Sequence, residues 1–259
     1  MKVACIQYKS YEDEKKTLKK LIPLIYSAAK KKVDLITLPE CATFLNINKS
    51  DTMMNASFER NSFSLKMIKE IAKNLDVNIL IGSLQTVEYK MLTKKLFNRS
   101  FLINGKGKVI CKYDKIHMYD VKISKQQSYQ ESKTYESGKS AKIAKLKVNG
   151  KYYKIGMTIC YDLRFPHLFR DLALNGADLI TVPSVFMHIT GKDHWHSLLK
   201  ARAIETGCYI VAPAQYGHYS NKRKSYGHSL IVSPWGKILK DAKTEKNIII
   251  TDIDKRQIE

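Results

Sequence analysis

Amphipathic stretches alternate with short apolar runs along most of the chain, a pattern typical of a protein that mixes helices and strands. Apolar residues recur at helical spacing through Glu12–Lys32 and again through Ser62–Leu75. Pro23 falls inside the first stretch, and because proline removes a helical hydrogen bond, we expect a kink or break there. The same spacing predicts further helices over Pro166–Asn175 and Asp193–Thr206.

Short apolar runs between these helices predict the strands. They cover Lys2–Gln7, Val33–Pro39, Val77–Ser83, Leu96–Ile103, Lys108–Tyr113, Tyr152–Ile159, Asp178–Ser184, Cys208–Gln215, Ser225–Val232, Lys237–Leu239 and Asn247–Ile253. Asn-Gly-Lys-Gly at 104–107 and Pro-Trp-Gly at 234–236 predict hairpin turns. Lys115–Lys142 shows little periodicity and predicts a long loop, a feature that compact domains often use for function.

One octapeptide occurs twice in nearly the same form, as VDLITLPE at 33–40 and as ADLITVPS at 177–184. Each copy follows a predicted helix that itself follows a predicted strand. Two such strand–helix–strand units facing each other indicate a pseudo-symmetric α/β sandwich. No linker rich in Pro, Gly or Ser separates the halves, so a single domain over residues 1–259 is expected.

The high positive charge of the chain does not by itself indicate a nucleic-acid-binding protein. Its 45 basic residues exceed 24 acidic ones by 21, but only seven are arginine, the residue that recognises bases and phosphates through paired hydrogen bonds. The lysines are spread along the whole chain, which favours a solvated basic surface over a specific nucleic-acid site. A positive field still attracts small anions, so the expected partner is a small anionic substrate.

The sequence contains neither a membrane-spanning apolar run nor a paired-cysteine motif. No apolar run approaches the ~18 residues that span a bilayer, so no membrane partner is expected. The five cysteines are odd in number and contain no C-x-x-C pair, which argues against a zinc module or a disulfide framework. Free thiols of this kind are typical of a reducing compartment, so a cytoplasmic location is expected.

Three reactive side chains stand just after predicted strands, where catalytic groups gather in α/β sheets: Glu40, Lys115 and Cys160. A nearby cation lowers the pKa of a thiol, a carboxylate can take its proton, and the cation can stabilise an oxyanion. Each residue alone has an ordinary explanation as a core cysteine, a strand-end carboxylate or a surface lysine. Cys160 differs from the other cysteines because polar residues follow it at once at 161–164. Composition and spacing permit a catalytic triad without establishing it.

The strings around these residues add specificity. LPE at Glu40, KYDKIHMYD at Lys115 and GMTICYDLRFP at Cys160 together resemble the nitrilase superfamily of carbon–nitrogen hydrolases. The resemblance covers about residues 1–253, with the three motifs in the superfamily's order. It implies an α/β fold of the four-layer α-β-β-α sandwich type. No cofactor is expected.

The resemblance also implies a role for each matching residue. Cys160 would be the nucleophile, Glu40 the general base and Lys115 the cation that stabilises the oxyanion. Glu131 matches a second carboxylate near the site, and the backbone N–H of Tyr161 would join Lys115 in the oxyanion hole. A homodimer is expected as well, although superfamily members usually continue past the last strand with a tail that helps to pair subunits, and this chain stops at 259.

Arg164 has two interpretations. Some members of the superfamily use an arginine four residues after the cysteine to hold a substrate carboxylate, while a structural salt bridge would explain the residue equally well. His188, His194 and His196 invite a metal interpretation, but His194 and His196 lie two apart on a predicted helix and therefore point to different faces. No carboxylate motif supports them, so no metal is expected.

Further strings indicate one reaction class and two substrates. Residues 189–215 and 225–236 resemble deaminated glutathione amidases, whereas QESKT at 130–134 resembles ω-amidases. Both cleave an amide of a small α-keto acid, and the longer strings favour deaminated glutathione over α-ketoglutaramate. His196 replaces a glutamate that relatives usually carry, and Lys192-Asp193 replaces Pro-Ala, which leaves the exact substrate open. A true nitrilase is one alternative, and a catalytically silent scaffold or nucleic-acid-binding protein is another.

Overall fold

The computed structural model describes residues 1–46, 49–122, 128–220 and 223–258. Its helices are α1 (Glu14–Ala29), α2 (Lys49–Asn55), α3 (Phe63–Leu75), α4 (Pro166–Leu174) and α5 (His188–Thr206). Its 3-10 turns are Glu59–Asn61, Glu131–Lys133, Cys160–Arg164 and Lys255–Gln257. Its strands are β1 (Lys2–Gln7), β2 (Leu35–Thr37), β3 (Ser57–Phe58), β4 (Asn78–Lys90), β5 (Thr93–Ile103), β6 (Val109–Asp114), β7 (Asp120–Lys122), β8 (Ser128–Gln130), β9 (Lys142–Val148), β10 (Lys151–Met157), β11 (Leu179–Thr181), β12 (Tyr209–Ala212), β13 (Tyr216–Ser220), β14 (Arg223–Tyr226), β15 (Leu230–Val232), β16 (Ile238–Asp241) and β17 (Asn247–Asp252).

Two mixed sheets form the centre of the fold. The first has the strand order β17-β1-β2-β4-β5-β6, with β3 paired to β4, and the second has the order β16-β15-β12-β11-β10-β9. Parallel pairs occupy the middle of each sheet, β1-β2-β4 in one and β10-β11-β12 in the other. The repeated octapeptide supplies β2 and β11, so each copy forms a central parallel strand of its own sheet. The predicted pseudo-symmetry is present in the fold.

Successive side chains of a strand point to opposite faces of its sheet, so each sheet packs against a different layer on each face. Ile36 of β2 shares a buried apolar cluster with Leu21 and Ile25 of α1, whereas its neighbour Leu35 belongs to a second cluster that contains Leu179 of β11. One face of the first sheet therefore packs on α1 and α3, and its other face packs on the second sheet.

The fourth layer consists of α4 and α5. Phe169 of α4 and Trp195 of α5 are fully buried in the cluster that also contains β10, β11 and β12. The architecture is the expected four-layer α-β-β-α sandwich. No helix in the described parts of the chain is long and apolar enough to cross a membrane.

Helix α1 continues through Pro23 without the predicted break. Pro23 and Lys19, whose carbonyl loses its hydrogen bond to the proline, both lie on the exposed side of α1. Water can therefore hydrogen-bond that carbonyl, and the apolar face of the helix still packs on the sheet.

Two other predictions need correction. Helix α5 begins at His188 rather than Asp193 and includes Gly191. The glycine serves packing there, because a Cβ would lie 2.4 Å from Cγ of Tyr226. The predicted strand over Ser225–Val232 is two strands, β14 and β15, which belong to different sheets.

The predicted loop Lys115–Lys142 contains the small β7–β8 ribbon and a 3-10 turn at Glu131–Lys133, and β9 begins at its last residue. Residues 123–127 of this segment lie outside the described part of the chain. The described part carries Glu131 toward the interior, next to Lys115.

Candidate active site

The three predicted residues converge at one edge of the sandwich. Glu40 follows β2 and Lys115 follows β6 in the first sheet, while Cys160 follows β10 in the second. All three are buried, and together with Glu131 they line one cavity of about 200 Å³. The structure therefore places a carboxylate, an ammonium and a thiol side by side between the two sheets.

Hydrogen bonds fix the Glu40 carboxylate on both oxygens. Oε1 accepts from Nδ2 of Asn98 at 2.9 Å and from Nζ of Lys115 at 3.1 Å, and Oε2 accepts from the backbone N–H of Val185 at 2.8 Å. Burial acts to raise the pKa of Glu40, but the charge of Lys115 and the hydrogen bonds with Cys160, Val185 and Lys115 outweigh it, and the pKa is lowered. Glu40 is thus an ionised carboxylate at neutral pH, ready to accept a proton.

Lys115 lies between two carboxylates. Its Nζ donates to Oε1 and Oε2 of Glu131 at 3.0 and 2.8 Å in addition to Glu40. Glu131 is itself held by the backbone N–H of Tyr119, which donates to Oε2 at 2.7 Å. Burial opposes the charge on Lys115, yet the two carboxylates raise the pKa of Lys115 well above its ordinary value. A permanent ammonium therefore stands beside the thiol.

Cys160 occupies a strained position at the start of the 3-10 turn. Its φ of +50° is in the left-handed region, and its backbone N–H donates to the Pro183 carbonyl at 3.0 Å. Burial and the adjacent Glu40 carboxylate raise the pKa of the Cys160 thiol well above its ordinary value, against the lowering effect of Lys115. Cys160 is thus a neutral thiol in the free protein, and it has a base next to it.

The backbone around Tyr161 suits an oxyanion. Tyr161 is the second residue of the turn, so its N–H is one of the donors that a helix start leaves without an intrahelical acceptor. Its predicted partner in the oxyanion hole, Lys115, lines the same cavity. The Tyr161 ring packs edge-on against Tyr119 and Phe165.

Asp162 holds this turn in place, a role that the sequence analysis did not assign. Its fully buried carboxylate accepts from the hydroxyl of Tyr113 at 2.6 Å and from the backbone N–H groups of Ile159 and His117 at 2.9 and 3.0 Å. Nδ1 of His117 lies 2.7 Å from the same carboxylate. Asp162 therefore ties the Cys160 turn to the segment that carries Lys115.

Replacing Asp162 by Ala is expected to destabilise the protein by roughly 3 kcal/mol or more, because several buried donors would lose their acceptor. Urea unfolding of the wild type and the variant measures this difference. Asp171→Ala, at an exposed aspartate of α4, serves as the control, for which we expect less than about 1 kcal/mol. Equal midpoints for Asp162→Ala and wild type would contradict the role assigned to Asp162.

Other polar residues reach the cavity without a sequence motif. The Tyr119 hydroxyl is buried without a hydrogen-bond partner among the described residues, and burial raises the pKa of Tyr119 to about 12. Arg223, at the start of β14, lines the same cavity. The one available signal was Asn98, a polar residue inside the predicted strand Leu96–Ile103.

Arg164 lines the cavity as expected. Its guanidinium lies 5.8 Å from the Tyr161 ring and 5.5 Å from the Phe186 ring, and its NH2 group is 3.2 Å from Nδ1 of His194. Within the described ranges no carboxylate lies within 4.0 Å of it, so the salt-bridge interpretation finds no partner.

The histidines do not form the group considered from the sequence. His196 instead lies near His228 and Asp241, with ligand atoms within 4.8 Å of one another. The Asp241 carboxylate is already paired, with Nδ1 of His228 and Nζ of Lys243 each at 3.0 Å. We assign no metal to this cluster, which lies outside the set of residues that line the cavity.

Comparison with known proteins gives a consistent result. The family model described as carbon–nitrogen hydrolase matches residues 2–259. The deaminated glutathione amidase of Dictyostelium discoideum is 36% identical over 253 residues, covering 96% of this chain and 86% of the relative. The human deaminated glutathione amidase is also 36% identical, with 97% of this chain and 76% of the relative covered.

Solved structures agree. The C. elegans NitFhit protein superposes with a TM-score of 0.88 at 30% identity over 99% of this chain, which spans 61% of NitFhit. Saccharomyces cerevisiae Nit3, a member of branch 10 of the nitrilase superfamily, gives a TM-score of 0.85 at 28% identity, covering 100% of this chain and 91% of Nit3.

Proposed function

Because the chain belongs to the carbon–nitrogen hydrolase family, we propose that Cys160, Glu40 and Lys115 hydrolyse the amide of a small α-keto acid, with deaminated glutathione as the substrate. The observation that carries the catalytic assignment is the buried Glu40–Lys115 ion pair beside the Cys160 thiol. The names of the relatives, aligned over nearly the whole chain, support the substrate.

In the first half of the proposed reaction, Glu40 takes the thiol proton while Sγ of Cys160 attacks the amide carbon. The carbonyl electrons move to oxygen, and Lys115 with the N–H of Tyr161 stabilises the resulting oxyanion. Collapse of this intermediate breaks the C–N bond, and the proton on Glu40 goes to the departing amine. The acyl group remains on Cys160 as a thioester.

Water completes the cycle. Glu40, now free of its proton, deprotonates a water molecule that attacks the thioester carbon, and the same donors stabilise the second oxyanion. The C–S bond breaks, the thiol regains its proton from Glu40, and the keto acid leaves. Glu131 keeps Lys115 aimed at the site through its two hydrogen bonds.

The substrate is tested by comparing kcat/KM for deaminated glutathione and for α-ketoglutaramate. We expect the larger value for deaminated glutathione. A clear preference for α-ketoglutaramate would assign an ω-amidase, and activity on a nitrile alone would overturn both substrates.

The pH dependence follows from Glu40. Its folded pKa lies below the ordinary 4.5, so its contribution to stability is present above pH 4.5 and is lost as the pH falls through the lower folded value. The same protonation removes the general base. We therefore expect kcat/KM to stay level from pH 8 down to about pH 5 and to fall only below pH 4.5.

A pH series of initial rates measures this limb. Circular dichroism at each pH separates loss of the base from unfolding. An acidic limb centred near pH 6 in folded enzyme would contradict the lowered pKa assigned to Glu40.

A further inference from the structure

Two partly buried arginines, Arg164 and Arg223, share the cavity of the candidate site and lack an acidic partner. In the described ranges no carboxylate oxygen lies within 4.0 Å of either guanidinium. The remaining arginines are either ion-paired, as are Arg99, Arg202 and Arg256, or exposed, as are Arg60 and Arg170. The two arginines without an ion-pair partner thus line the same cavity.

The acidic residues of the cavity form no ion pair with either arginine. Glu40 and Glu131 are both bound by Lys115, at 3.1 and 2.8 Å. Because a partly buried guanidinium is stabilised by an anion with which it can form paired hydrogen bonds, the cavity suits a ligand that supplies two negative groups.

The two guanidiniums belong to different walls of the cavity. Arg164 packs on the rings of Tyr161 and Phe186, in the turn that carries Cys160 and in the segment before α5. The Arg223 guanidinium lies 6.0 Å from the Tyr129 ring, and its buried Nε has no hydrogen-bond partner among the described residues. One carboxylate at each wall would satisfy both.

Backbone hydrogen bonds hold Arg223 at its wall. It begins β14, which pairs with β13 in a two-stranded ribbon. The N–H of Tyr226 in β14 donates to the Phe186 carbonyl at 2.9 Å, and Met187 bridges to Ser225. The ribbon is therefore fixed to the segment that also supplies the Val185 N–H to Glu40, so Arg223 is positioned relative to the catalytic groups.

We propose that Arg223 forms a second carboxylate subsite, which binds the terminal carboxylate on the leaving-group side of the scissile amide while Arg164 binds the α-keto acid carboxylate. This inference rests on the proposed amidase function. Deaminated glutathione carries a carboxylate on each side of the scissile bond, whereas α-ketoglutaramate carries only one. The subsite selects the larger, doubly charged amide.

Steady-state kinetics of Arg223→Gln on both substrates tests the subsite. The ratio of kcat/KM for deaminated glutathione to that for α-ketoglutaramate is expected to fall roughly 10- to 100-fold, mainly through a higher KM for the larger substrate. Arg223→Lys, which keeps the charge but not the paired donors, is expected to recover part of the ratio. Lys224→Gln, an exposed neighbour on the same strand, is the control and should leave both substrates unchanged.

An unchanged ratio in Arg223→Gln, or an equal loss for both substrates, would overturn the subsite without touching the proposed reaction. Binding to the Cys160→Ala protein, measured by calorimetry, separates the two questions. Deaminated glutathione should bind about tenfold or more tightly than its glycine amide, and Arg223→Gln should remove this preference. If the wild type cleaved neither substrate, the proposed function would fail, and this binding comparison would still decide the subsite.

Discussion

Cys160→Ala is expected to reduce hydrolysis of deaminated glutathione by at least about 10³-fold while the fold is retained. The variant keeps Glu40 and Lys115 but removes the atom that forms the thioester, so neither half of the reaction can proceed. The side chain is small and sits at the cavity, and its loss should change the free energy of unfolding by only about 1 kcal/mol. Initial rates and urea unfolding of the same preparation measure the two effects.

Cys111→Ala is the matched control for this experiment. Cys111 is a partly exposed cysteine of β6, outside the set of residues that line the cavity, so its variant should keep wild-type activity. Substantial turnover by a folded Cys160→Ala protein would show that another group is the nucleophile.

Lys115→Ala is expected to lower kcat by about 10²-fold or more, because the oxyanion loses its charged donor. The variant also leaves Glu40 and Glu131 close together without a cation. Burial and mutual repulsion would then raise the pKa of Glu40, which Lys115 now keeps low. The acidic limb of the residual activity should therefore move to a higher pH than in the wild type.

Lys115→Arg should recover little activity, since a larger planar guanidinium spreads its charge and cannot place one point charge where the ammonium stands. Lys112→Ala is the control on the same strand: Lys112 is exposed and pairs with Glu59 at 2.6 Å. Loss of that surface pair should leave kcat unchanged and cost less than about 1 kcal/mol. A wild-type kcat in Lys115→Ala would show that Lys115 does not stabilise the oxyanion.

The helices and strands whose apolar residues recur at regular spacing could be predicted from the sequence. The repeated LIT segments at β2 and β11 read as buried strands because all three of their residues face the core. Strand β9 was missed although residues 144–148 alternate between buried and exposed positions; its first residue, Lys142, was the last residue of the predicted loop. The break predicted at Pro23 was wrong, since propensity alone cannot show that the Lys19 carbonyl, which loses its hydrogen bond to the proline, lies on the exposed side of the helix.

Some residues of the candidate site could also be predicted from the sequence, and others could not. Glu40, Lys115 and Cys160 could be found because each follows a strand and carries a distinctive string. Asp162 and Arg223 could not be found, because their roles depend on partners from distant segments. Asp162 bonds to Tyr113 and His117, 49 and 45 residues away along the chain. Only the folded chain shows that no carboxylate among the described residues balances Arg223.

The most direct test of the account is to stop turnover of deaminated glutathione with acid and to map the acylated peptide by mass spectrometry. Thioesters survive acid, so the intermediate is trapped on its cysteine. We predict that the keto-acyl group is found on the peptide that contains Cys160, and that the Cys160→Ala protein carries none. An acyl group on Cys111 or another thiol, or steady hydrolysis with no acylated peptide, would contradict the central claim that Cys160 is the nucleophile.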